Sequence, residues 1–137
     1  MFKIIWLFKR KEGISLEQFR DHYESSHSEL GKKYLGHLIS RYVRNYVQPA
    51  DPARPSKNPF TYDCITEWTM NSAEAFDEAL RIFKDPVIGA IFREDEKHFL
   101  QPESITLVLV DPRDTGTGDA AASRALTAGA GAGAAPV

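Results

Sequence analysis

A chain of 137 residues with a formal net charge of −2 has room for one domain and little electrostatic attraction to nucleic acid or an anionic membrane. Its single cysteine, Cys64, excludes an intrachain disulfide and a thiolate zinc cluster. The apolar opening run is too short to span a bilayer and lacks the small-residue cleavage site of a signal peptide, so the expectation is a cytoplasmic protein.

Lys3–Arg10 carries Ile4, Ile5, Trp6, Leu7 and Phe8 without a break, which predicts a strand buried on both faces. Lys9-Arg10-Lys11, like Lys32-Lys33 further on, reads as a solvated loop or helix end. After a turn at Glu12-Gly13, Ser15 and Gln18 have the spacing of a capping box. A first helix follows to about Tyr34, with Gly36 placed to close it. Leu16, Phe19, Tyr23, Leu30 and Tyr34 point within an arc of about 80° at helical spacing, and His27 points with them. His22 falls about 60° outside that arc, at the edge of the helix.

Ile39–Val47 alternates as a second strand and puts Arg41 and Arg44 on opposite faces. Residues 49–59 hold Pro49, Pro52, Pro55 and Pro59, an irregular excursion that is either a lid or a connector. Tyr62–Met70 is the third strand, with Tyr62, Cys64, Thr66, Trp68 and Met70 on one face. Asn71 or Ser72 caps a second helix bearing Ala75, Phe76, Ala79, Leu80 and Phe83. Asp85-Pro86 opens another helical stretch that continues or restarts through Asp95–Leu100, and Ser104–Val110 closes the domain as a strand. From about Pro112 the chain is poor in large apolar residues, so residues 112–137 read as a disordered tail and 1–111 as the domain.

The order is β-α-β-β-α-β with one extra helix. It predicts the α+β, ferredoxin-like plan, a four-stranded antiparallel sheet covered by helices on one face. First and last strands apolar on both faces imply a second copy packed sheet to sheet, a homodimer.

An inward histidine is either a hydrogen-bonded structural residue or a working group in a pocket. Burial favours the uncharged ring, whose free nitrogen is a base; Tyr23 lies one turn away on the same face. Those two are the candidate catalytic residues. Candidates to bind substrate are Arg41 or Arg44, for a carboxylate, and Tyr62, Cys64, Trp68 and Trp6, for a flat conjugated molecule, with His22 at the margin. The alternative for the arginines is an ion pair with Asp63 or Glu67. No metal site is expected, because His22 and His27 diverge by about 140° on a regular helix and no HExxH spacing occurs.

The run from Phe8 to His27 resembles the opening of the EthD family, in the dimeric α+β barrel superfamily. Tyr62-Asp63 with Glu67-Trp68 and Asp95-Glu96-x-x-Phe99 are similar to it as well, so the likeness spans residues 2 to about 110. The resemblance implies a small pocket between sheet and helices and acid–base chemistry with neither metal nor organic cofactor. His27 matches the histidine that carries catalysis in a methylisomerase relative. That relative's strand cysteine aligns with Trp68, and Cys64 lies four residues earlier, so a thiol mechanism does not carry over. Asp95 falls in a family motif from which no role follows. The resulting expectation is a cofactor-independent isomerase or lyase type of enzyme. It would act on a small conjugated, oxygenated molecule from aromatic catabolism or polyketide metabolism. The alternatives are a non-catalytic ligand-binding dimer and a cofactor-free monooxygenase.

Overall fold

The structure, a computed structural model, describes residues 1–48, 53 and 57–118. Pro49, Pro52 and Pro55 of the expected excursion, and residues 119–137 of the expected tail, lie outside the described residues.

Strand β1 (Phe2–Phe8) leads into helix α1 (Leu16–His22), a π-helical turn (Tyr23–His27) and α2 (Ser28–Leu35). Then come β2 (Ile39–Tyr46), β3 (Cys64–Met70), α3 (Ala73–Lys84), α4 (Pro86–Glu96), a 3₁₀ turn (Pro102–Ser104) and β4 (Thr106–Val110). The sheet order is β2-β3-β1-β4 and every neighbouring pair is antiparallel, the ferredoxin-like arrangement. Among the described residues no helix is long and apolar enough to cross a membrane.

Local chemistry sets the helix starts. The Gln18 amide donates to Ser15 Oγ at 3.0 Å and the Ser15 amide to Gln18 Oε1 at 2.8 Å, a complete capping box. Ser72 caps α3 through the Ala75 amide, and Asp85 caps α4 through the amides of Val87 and Ile88. Two strands begin later than their side-chain patterns suggest, at Cys64 and at Thr106. Just ahead of β3, Asp63 is tied down by both ends: its amide donates to the Phe8 carbonyl and its carboxylate accepts from the Arg10 amide.

The helix expected over 15–34 is not uniform. At Ser28 the amide reaches back to the Tyr23 carbonyl, an i→i+5 bond that inserts one residue into the turn. Such wide turns occur often at functional sites. This one carries Tyr23 and His27, both buried.

Cys64, Thr66, Trp68 and Met70 of β3, with Ile4 and Phe8 of β1, are buried beneath the helices. The core divides in two. One cluster gathers Ile4, Leu35, Leu38, Trp68, Met70, Ala75, Ala79 and Phe92; the other gathers Phe8, Phe19, Tyr23, Cys64, Phe99 and Leu100. Trp6 and Tyr42 pack against both. On the opposite face of the sheet, register places Ile5, Leu7, Val43, Ile65, Val108 and Val110 beside Lys3, Glu67 and Arg41.

The joint between α3 and α4 is tight. A Cβ added to Gly89 would stand 2.3 Å from the Phe83 carbonyl oxygen. Gly89→Ala is therefore expected to cost about 1–3 kcal/mol by overpacking. A lowered urea midpoint would register it, and an unchanged midpoint would refute the close approach.

Candidate functional site

A cavity of about 310 Å³ opens along the seam between the two core clusters. Trp6 and Phe8 of β1, Tyr42 of β2 and Trp68 of β3 supply its sheet side. Tyr23, His27 and Gly31 come from the first helical segment. Leu80 and Phe83 of α3, Gly89, Phe92, Arg93 and Glu96 of α4, and Ile105 complete the wall. The volume suits a small ligand and the wall is mostly aromatic.

His27 is 8% exposed and its ring is pinned from behind. Nδ1 lies 2.9 Å from Asp95 Oδ2. With Asp95 ionised, Nδ1 must carry the hydrogen, which leaves Nε2 of a neutral ring as the basic nitrogen. Nε2 has no hydrogen-bond partner among the described residues. Asp95 Oδ1 accepts from Ser26 Oγ at 2.6 Å and lies 3.0 Å from His22 Nε2. Burial disfavours the charged carboxyl of Asp95, but hydrogen bonds from His27, Ser26 and His22 outweigh it and hold the group down at about 2.

This convergence depends on the wide turn. On a regular helix His22 and His27 diverge by about 140°, yet here both rings meet one carboxylate. The extra residue in the turn rotates the preceding helix back towards the His27 side. Phe99 packs against both imidazoles, with ring centroids 4.8 Å from His22 and 5.0 Å from His27. The Asp95-Glu96-x-x-Phe99 sequence thus acquires a physical meaning: its first residue anchors the two histidines and its last one packs against them.

Tyr23 Oη lies 2.8 Å from Thr66 Oγ1 and 3.2 Å from Tyr42 Oη, and its ring centroid is 5.4 Å from that of His27. Burial pushes the Tyr23 phenol well up and that of Tyr42 to about 12, so both are hydrogen-bond donors and neither is a base at neutral pH. Of the residues expected to bind substrate, Trp6 and Trp68 reach the cavity. The others stand apart from its wall. Cys64 is fully buried against Thr66, and burial pushes its thiol up to about 12, far from a reactive thiolate. Arg44 points to the helix side, where Glu24 takes Nε and Nη2 at 2.7 Å each. Its partner is neither Asp63 nor Glu67, because the local strand pattern carries no information about a helix folded over it. Arg41 lies on the open sheet face opposite Thr69, the Tyr62 hydroxyl pairs with Thr106, and His22 is bound to Asp95.

Of the wall residues not expected at the site, four lie on α4: Gly89, Phe92, Arg93 and Glu96. Their spacing of i, i+3, i+4, i+7 is a complete helical stripe, the signal that would have found them. Burial raises the Glu96 carboxyl, against the pull of His27 and Arg93. Among the described residues no group of three or more His, Cys, Asp or Glu side chains is arranged to hold a metal ion.

Fold and site together define a ferredoxin-like α+β domain with a histidine–aspartate pair at an aromatic cavity. The model of the EthD domain matches residues 11–103, and the chain belongs to the EthD family. It is similar to an EthD family protein of Bacillus halodurans at 20% identity and a TM-score of 0.57, over 82% of this chain and 100% of that one. An EthD-like protein of Ralstonia eutropha gives 20% identity and a TM-score of 0.55 over 80% and 86% of the respective chains. A protein of Bacteroides fragilis, described as dimeric with a ferredoxin-like fold, gives 14% and 0.50 over 80% and 93%. A comparison with curated proteins finds no match.

Proposed function

We propose that this protein is a cofactor-independent acid–base enzyme for a small conjugated, oxygenated molecule. The observation that carries the reading is the His27 ring, anchored at Nδ1 by Asp95 and set in the wall of a 310 Å³ cavity. In the reaction Nε2 removes a proton from a carbon next to a carbonyl, or vinylogous to one. The electron pair spreads through the conjugated system onto the carbonyl oxygen. The imidazolium, stabilised by the Asp95 carboxylate, returns the proton at another carbon. Isomerisation, dehydration and lactone opening share that first step.

The test is turnover of dienoates and unsaturated lactones by purified protein in D₂O, with EDTA present and oxygen uptake recorded. Deuterium entering the acidified carbon at an EDTA-insensitive rate is the expected result. Tight binding without exchange would replace this reading with a ligand carrier, and oxygen uptake would replace it with a monooxygenase.

The working form in this proposal is a homodimer. The open sheet face presents Ile5, Leu7, Val43, Ile65, Val108 and Val110, an apolar stretch that a second copy would cover, and the similar Bacteroides protein is described as dimeric. Sedimentation at micromolar concentration is expected to give a dimer, and Ile65→Glu at the middle of that face to give a monomer. A monomeric wild-type protein would overturn this part.

A further inference from the structure

Arg93 is the cation of the cavity wall. Both Arg93 and His27 line the cavity, the arginine exposed and the histidine buried. Gly89, one turn earlier, makes room for it: a Cβ there would lie 2.9 Å from Arg93 Nη1. Among the described residues Arg93 has neither a hydrogen bond nor a carboxylate within ion-pair distance. Arg44, Arg81 and Arg113 each hold an acidic side chain at 2.7–2.8 Å. The Asp95 oxygens are engaged by His27, His22 and Ser26. The remaining wall is aromatic or aliphatic apart from the phenols and Glu96.

We propose that the mouth of this cavity is a carboxylate-binding site in which the Arg93 guanidinium receives an organic acid. The ligand is then a conjugated carboxylate, with its charged end at α4 and its conjugated body running inward between Trp6, Trp68 and Phe83. An arginine fork matches both oxygens of a carboxylate and so fixes orientation as well as affinity. That orientation delivers the far end of the conjugated system to the His27 end of the cavity. Burial raises the Glu96 carboxyl against the pull of His27 and Arg93, and a bound anion nearby would drive it in the same direction as burial. The inference rests on the cavity being the ligand site, as proposed above, but not on turnover.

The experiment is calorimetric titration of the full chain with trans-cinnamate and with methyl cinnamate, probes of matched shape that differ in charge. Wild-type protein is expected to bind the acid about 10–100-fold more tightly than the ester, the range of a charge-assisted hydrogen-bonded pair. Arg93→Gln should erase the preference and leave ester affinity and thermal unfolding unchanged. Arg93→Lys should restore part of it, as a point charge without the fork. Equal affinity of wild type for acid and ester, or a preference that survives Arg93→Gln, would overturn the carboxylate site alone. Failure of both probes to bind would overturn the cavity as a ligand site and this inference with it. Both results stand whether or not proton exchange is observed.

Discussion

His27→Gln is expected to lower kcat by about 10²–10⁴-fold, the contribution of one positioned acid–base group, with KM little changed. Glutamine is chosen over alanine because it fills much of the space of the ring. What it lacks is a basic ring nitrogen. The fold should survive, since the carboxylate keeps Ser26 and His22 as donors. Proton exchange within a few-fold of wild type would end the role of His27 as base. Joint loss of activity and cooperative unfolding would make it a structural residue.

Asp95→Ala should have the largest effect on stability. It strands the donors of His27, His22 and Ser26 in a partly buried position, and such losses amount to about 2–5 kcal/mol in sum. The pH dependence has a definite sign. The carboxyl is held at about 2 in the folded chain against its ordinary 3.8. Its stabilisation is therefore present above the ordinary value and lost as pH falls through about 2. Partial solvent screening limits this component to the order of 1–2 kcal/mol. Denaturant midpoints measured from pH 5 down to pH 2 should show wild type losing this increment and Asp95→Ala showing no such loss. Parallel curves for the two proteins would remove Asp95 from the account. Activity should also fall, because without the carboxylate nothing holds the hydrogen on Nδ1 or steadies the imidazolium.

Much of the fold was legible because its signals are local. The capping box at Ser15, the alternation of β2 and β3, and Asp85-Pro86 each fix an element without reference to the rest of the chain. His27 was legible as an inward residue for the same reason. The wide turn was not, since a constant rotation of about 100° per residue cannot register an inserted one. The error showed at His22, placed at the helix edge by arithmetic yet bound to the carboxylate that holds His27. Arg44 illustrates a second limit. Alternation correctly set it opposite Arg41, but its engagement by Glu24 depends on how α1 and its continuation lie over the sheet. Arg93 and Glu96 illustrate a third: charged residues late in an amphipathic helix read as solvated unless the stripe they complete with Gly89 and Phe92 is followed.

The hollow between the two core clusters has a consequence for the molecule as a whole. Among the described residues, Trp6 and Tyr42 pack against both clusters on the sheet. A guest lodged there supplies contacts that no side chain makes and acts as a missing piece of the interior. The protein is then more stable with a guest bound than empty, and its melting temperature climbs with guest concentration.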